Sequence, residues 1–139
     1  MNDVKAKDIM SSPLVTVKGD ANAWELSKLM KAKDVGSLLV EQDGHLVGII
    51  TKKDLVWRVL AEEQDPLHVK AKDIMSSPLV TMETEVSLSD VARKMAKAKI
   101  RRVIVTENQQ PVGVVSDRDI VRVAPEQIEL LSEYVRILK

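Results

Sequence analysis

The string KAKDIMSSPLVT occupies positions 5–16 and returns, letter for letter, at positions 70–81. Sliding the chain so that Val4 falls on Val69 carries the match on, without a gap, to residue 59 against 124. Met30 then meets Met95, Val47-Gly48 meets Val112-Gly113, and Asp54 meets Asp119. Where letters differ the chemistry mostly stays, as in GIITKKDL against GVVSDRDI. One supersecondary unit is therefore written twice. Two copies of so long a period do not make a solenoid, which needs three or more units. They lead us to expect two similar lobes burying their apolar faces against each other.

The order of elements within each copy follows from local patterns. VKAKDIM forms a short turn or helix that stops at Ser-Pro, because a residue preceding proline is pushed out of the α region. PLVTV and PLVTM are short and β-branched, hence strands. Asn22 and Ser87 start helices with Glu25 and Asp90 three residues on, a capping-box pattern. Leu26, Leu29 and Met30, and in the other copy Leu88, Val91, Ala92 and Met95, keep a helical apolar stripe. SLLVEQDGHLVGII reads as a hairpin around Asp43-Gly44, while RVIVTENQQPVGVV suggests a longer polar turn. A second helix is expected near 52–62 and near 117–123. The unit is α-β-α-β-β-α: a first repeat over 4–60, a linker over 61–68 and a second repeat over 69–124. Beyond it, PEQIELLSEYVRILK predicts an amphipathic helix over 125–139, with Ile128, Leu131, Tyr134, Val135 and Leu138 on its apolar side. Such a helix would cover the domain's own core or form a dimer contact.

Composition narrows the function classes. A chain of 139 residues can bury about two-thirds of its unfolded surface, so it needs no staple. It has no cysteine, which excludes a disulfide scaffold, a thiolate zinc site and a cysteine nucleophile. Basic and acidic residues balance at 21 each and aromatics reach only 2%, so neither counterion release nor a stacking platform argues for nucleic acid. MNDVKAKDIM lacks an apolar signal region, and no stretch approaches the ~20 apolar residues of a membrane span. We expect a soluble, cytoplasmic protein. His45 and His68 fall in a turn and a linker, where exposed polar roles are expected. No Ser-His-Asp set, metal-ligand spacing or complete phosphate loop is present, so no enzyme and no metal site are expected.

Chemistry concentrates in Gly48-Ile49-Ile50-Thr51-Lys52-Lys53-Asp54 and Gly113-Val114-Val115-Ser116-Asp117-Arg118-Asp119. Thr51 and Ser116 can be N-caps, with Asp54 and Asp119 closing capping boxes. The same geometry serves a ligand. A strand ending at a helix start offers unpaired N–H groups to an anion, and a neighbouring carboxylate can accept from vicinal ribose hydroxyls. Capping alone and capping plus ligand both fit the residues.

This order of elements, duplicated, with a G-h-h-T/S-x-x-D turn closing each second hairpin strand, resembles the cystathionine-β-synthase (CBS) repeat family. Its tandem pair is called a Bateman module. The resemblance spans about residues 4–124. It implies an α/β (α+β) fold of two pseudo-two-fold-related repeats, each a small mixed sheet with flanking helices, with clefts between them for adenine-containing ligands. AMP, ADP or ATP come first, with S-adenosylmethionine or NAD as further candidates. It implies that Asp54 and Asp119 hold ribose, and that Thr51 and Ser116 help hold ribose or phosphate. It implies that Ser11, Ser12, Pro13, Val15, Ser76, Ser77, Pro78 and Val80 border the base. The repeated string would then line both clefts, although a shared need to pack Ile9, Met10, Ile74 and Met75 would preserve it equally.

The copies differ in cations. Gly36-Ser37 aligns with Arg101-Arg102 and Lys53 with Arg118. The resemblance places basic residues before the second strand near phosphates, where the planar fork of Arg suits phosphate oxygens. KAKIRR could equally be a solvated edge. The leading expectation is a stand-alone ligand-sensing module, acting as a homodimer or on a separate regulated protein. The alternative is a dimerising scaffold with empty clefts.

Overall fold

The computed structural model describes residues 4–11, 14–77 and 79–123. The expected helix over 125–139 lies outside them, as do Ser12, Pro13 and Pro78. In chain order the elements are α1 (Ala6–Ile9), β1 (Thr16–Lys18), α2 (Ala23–Lys33), β2 (Ser37–Gln42), β3 (His45–Thr51) and α3 (Lys52–Leu55). A π-helical turn (Val56–Leu60) continues α3. The second copy gives α4 (Ala71–Ile74), β4 (Thr81–Glu83), α5 (Leu88–Ala98), β5 (Arg102–Glu107), β6 (Gln110–Ser116) and α6 (Asp117–Val123). The expected α-β-α-β-β-α order stands twice, with the first copy's last helix wound as π beyond Leu55.

Each copy contributes one three-stranded mixed sheet, β1-β2-β3 or β4-β5-β6. Its first pair is parallel, bridged by α2 or α5, and its second is an antiparallel hairpin. A bulge falls at the same place in both, between Val40 and Glu41 and between Val105 and Thr106. Asn22 accepts from the Glu25 N–H while Glu25 reaches back to the Asn22 N–H, a complete capping box. Ser87 accepts from the Asp90 N–H, and the Asp90 carboxylate holds Arg93. Both helices end in a left-handed residue, Asp34 and Lys99.

The second hairpin departs from expectation. Its turn is no longer than the first: Asn108-Gln109 takes positive φ at both residues, 52° and 68°, as Asp43-Gly44 does at 53° and 82°. Twisted two-residue hairpins require this backbone. Asn tolerates the left-handed region through its short polar side chain, and here Gln follows it there without glycine's freedom.

The two compact units do not coincide with the two sequence copies. One unit is continuous, Val15–Leu79, and the other is split, Met1–Leu14 with Val80–Lys139. In the continuous unit α4, from the second copy, docks beside the first copy's sheet. Ala71 N–H donates to Ala21 O (2.8 Å), Lys72 N–H to Gly19 O (3.0 Å) and Ala23 N–H to Val69 O (2.9 Å). In the split unit α1 makes the matching set: Ala6 N–H to Val86 O (2.8 Å), Lys7 N–H to Thr84 O (3.1 Å) and Leu88 N–H to Val4 O (2.9 Å).

Each unit has its own aliphatic core. Leu26, Met30, Leu38, Val40 and Ile50 surround Ala71 and Ile74 in the continuous unit. Leu88, Val91, Met95, Val103 and Val115 surround Ala6 and Ile9 in the split one. Burying an isoleucine side chain contributes roughly 1.5–3 kcal/mol, so Ile9 and Ile74 alone give the repeated string a packing role.

Candidate functional site

The corners at Thr51–Asp54 and Ser116–Asp119 are built alike, each where a hairpin strand turns into a helix. Thr51 donates from its N–H (2.8 Å) and its hydroxyl (3.2 Å) to Asp54 Oδ2, and its Oγ1 accepts from the Asp54 N–H (3.4 Å). Ser116 and Asp119 repeat the arrangement at 2.8, 3.1 and 3.3 Å. The capping role is therefore real in both copies.

The helix starts are less open to an anion than the sequence suggests. Lys52 N–H donates to Gly36 O (3.2 Å) and Asp117 N–H to Arg101 O (3.0 Å), while the Asp54 and Asp119 amides are held by the cap hydroxyls. Attraction for a phosphate at these corners must come from side-chain cations rather than from these amides.

Capping occupies only one oxygen of each carboxylate. Asp54 Oδ1 faces Arg58 Nε at 3.6 Å, and Asp119 Oδ1 faces Arg122 Nη1 at 3.3 Å. The carboxylates are 14% and 8% exposed, whereas their arginines are 52% and 69% exposed. Each corner thus pairs a largely buried carboxylate with a largely exposed cation on the next turn. Arg58 and Arg122 escaped the sequence reading, although their i,i+4 and i,i+3 spacing from the aspartates is a legible sign. Arg58 also donates to Ile74 O (3.1 Å), tying the corner to the docked helix.

The leading segments meet these corners crosswise. Ser11 exchanges backbone hydrogen bonds with Val114 (2.8 and 3.1 Å), and Ser76 does so with Ile49 (2.9 and 3.0 Å). The first copy's string therefore lies against the strand leading to Asp119, and the second copy's against the strand leading to Asp54. The backbone edges of Ser11 and Ser76, expected to face a base, are spent on β6 and β3, although both residues remain exposed. Val15 O accepts from Leu39 N–H and Val80 O from Ile104 N–H, each 2.9 Å, and both side chains pack against a core. Ser77 is exposed.

In the continuous unit a groove of about 1000 Å³ runs beside Asp54. Lys53, Trp57, Arg58, Asp65, Ile74 and Ser76 are among the residues bordering it. It brings together the expected Asp54 and Ser76 and adds Trp57, Arg58 and the Asp65–His68 pair. The Leu67 N–H and then His68 hold the Asp65 carboxyl below the usual carboxylate range. His68 and His45 are exposed, as expected. In the split unit, Asp119, Ser116, Arg101, Arg102 and Arg118 belong to one body, and the carbonyl of Arg101 anchors the corner itself. Arg102 opens β5 half-buried, while Arg101 and Arg118 are exposed. Among the described residues no group of three or more His, Asp or Glu side chains is placed to hold a metal, and no helix is long and apolar enough to cross a membrane.

Comparison with known proteins agrees with this architecture. The family model for the CBS domain matches twice, over residues 6–61 and 71–126. An uncharacterised protein of Methanocaldococcus jannaschii is 34% identical over 94% of this chain and 71% of its own length. Among solved structures, the hexameric CBS-CP12 protein from bloom-forming cyanobacteria superposes with a TM-score of 0.80 at 32% identity. That match covers 91% of this chain and 73% of the other. An uncharacterised conserved protein from Pyrococcus horikoshii gives 0.79, also at 32% identity, covering 89% and 94%. With two matched repeats, paired mixed sheets and a duplicated strand-to-helix corner, the chain belongs to the CBS domain family as a tandem pair.

Proposed function

We propose that the pair is a ligand sensor that binds an adenine nucleotide of the AMP, ADP or ATP type at its strand-to-helix corners. The observation that carries this reading is the duplicated carboxylate with one oxygen tied to its own backbone. The tied Oδ2 fixes the group's orientation, and Oδ1, which faces Arg58 or Arg122, has further acceptor capacity for a polyol such as ribose. At the first corner the groove supplies aliphatic contact for a base through Val69 and Ile74, and Arg58 supplies a fork for phosphate. Its volume suits a small ligand, since such pockets run from roughly 300 to 1,000 Å³. At the second corner Arg101, Arg102 and Arg118 offer guanidinium forks where the first copy has Gly36, Ser37 and Lys53, so any preference of phosphate-rich nucleotides for Asp119 rests on bidentate arginine contacts and not on net charge, because Asp117 replaces Lys52.

Signalling then follows from differential affinity. A nucleotide that binds one arrangement of the module more tightly shifts its population toward that arrangement, and a regulated protein or a second copy reads the change. A thermal-shift panel of AMP, ADP, ATP, NAD and S-adenosylmethionine tests the reading. A ligand at 100 times its dissociation constant stabilises the folded state by about 2.7 kcal/mol. A rise with one or more of these compounds is expected, and no rise with any would favour the empty scaffold.

A further inference from the structure

The two corners part company at position 57. The register that sets Asp54 on Asp119 sets Trp57 on Arg122. In the second copy that place holds the guanidinium 3.3 Å from Asp119 Oδ1. In the first, the cation comes one residue later: Arg58 lies 3.6 Å from Asp54 Oδ1. Trp57 is left on the border of the groove, 61% exposed. Lys53 stacks on the indole, its Nζ 4.2 Å from the ring centroid. A similar pair, Lys28 over Trp24 at 4.3 Å, lies away from the groove lining. Lysine stacking is thus common to both tryptophans, and an ammonium over the centroid uses one face of a ring and leaves the other.

Charge in the groove narrows what that second face receives. Lys53 and Arg58 share the groove with Asp54, Glu62, Asp65 and Asp73, and a protonated His68 still leaves the carboxylates in excess. Resting on the nucleotide reading above, we propose that Trp57 is the base-recognising residue of the first corner. Its indole stacks on the purine while Asp54 takes the ribose, and this corner selects by base rather than by phosphate count. A π-face accepts a flat heteroaromatic ring, and a purine covers more of it than a pyrimidine does. Added phosphates gain little here. Arg58 is already shared with Asp54 and the Ile74 carbonyl, and each further anion meets the surrounding carboxylates. Arg122 fills the equivalent place at the second corner, which therefore lacks this platform.

Tryptophan emission tests the proposal, because Trp24 and Trp57 are the chain's two tryptophans. In Trp24→Phe, where Trp57 is the reporter, adenosine and AMP are expected to quench emission, and ribose 5-phosphate is not. In Trp57→Phe, where Trp24 reports, none of the three should change it. Calorimetry in an Asp119→Asn background, which weakens the second corner, reads the first. Trp57→Ala should lower AMP affinity there about 5- to 150-fold, the range for losing one base–aromatic stack, and Trp57→Phe should lower it less. Both variants should melt close to the parent, because Trp57 is exposed. ATP should bind this corner no more tightly than AMP. If no adenine compound binds the wild type, the nucleotide reading falls and this proposal with it. If AMP binds while Trp57 emission stays constant and Trp57→Ala keeps the affinity, the proposal alone is overturned. An affinity that climbs from adenosine to ATP in the Trp57 signal overturns it equally.

Discussion

Met10 lies flat against Gly113: a β-carbon at position 113 would come within 2.5 Å of the Met10 sulfur and 2.8 Å of its Cγ. Met75 stands in the same relation to Gly48. These contacts explain two features at once. The glycine that opens each G-h-h-T/S-x-x-D turn is there to admit a methionine of the repeated string. The methionine comes from the other sequence copy.

Gly113→Ala and Gly48→Ala should each destabilise the protein by about 1–3 kcal/mol, because the whole methionine side chain must move to admit the methyl group. Chemical denaturation of double variants identifies the partner. Met10→Ala should relieve much of the Gly113→Ala penalty and none of the Gly48→Ala penalty, with Met75→Ala behaving the opposite way. Additive behaviour in the Met10 and Gly113 pair would contradict the crossed packing.

The turn at Asn108-Gln109 holds a second stored cost. Gln109 sits at φ 68°, where an L side chain costs roughly 1–2 kcal/mol and glycine does not. Gln109→Gly should raise the unfolding midpoint, net of glycine's greater chain entropy, by up to about 1 kcal/mol equivalent. The same replacement at Glu107, inside β5, should lower it.

Glu85 couples the split unit to pH. Hydrogen bonds from Lys5 Nζ (2.8 Å) and Lys7 Nζ (2.7 Å) hold its carboxyl down at about 2, against an ordinary value of 4.5. A depressed folded-state pKa gives stability that is present above 4.5 and is lost as pH falls through 4.5 toward 2. The Glu85 partner in turn raises Lys7 above 10.5, so that contribution is lost as pH climbs past 10.5. Carboxyl titration by NMR should place Glu85 near 2 and return it toward 4.5 in the Lys5→Ala/Lys7→Ala variant. Because the pair is exposed, added salt should move it the same way.

Much of this fold was legible because period and punctuation agree. Asp-Gly closed the first hairpin, and the stripes at Leu26–Met30 and Leu88–Met95 face the cores as read, while α1 and α4 end at Ile9 and Ile74 with Met10 and Met75 already extended. The exchange of leading helices was not legible. Ile9 and Met10 match Ile74 and Met75 in type and spacing, so either string fits either sheet by pattern. The second hairpin was misread because Asn108-Gln109 lacks the glycine that normally announces positive φ. At the corners the aspartates and cap hydroxyls were read correctly as caps. The partners of the second carboxylate oxygen, Arg58 and Arg122, depend on where the next helical turn points. In the first copy that turn is wound as π, which no residue in VWRVL signals.

The central claim is that the second oxygen of Asp54 and Asp119 serves a nucleotide, and isothermal calorimetry of Asp54→Asn and Asp119→Asn measures it most directly. Asparagine can keep the capping acceptor while removing the charge, so binding separates from folding. Replacing a charged ribose partner should cost roughly 1.5–3 kcal/mol, about 10- to 100-fold in affinity for AMP, ADP or ATP. Nucleotide affinity unchanged in both variants, with both still folded, would contradict the claim.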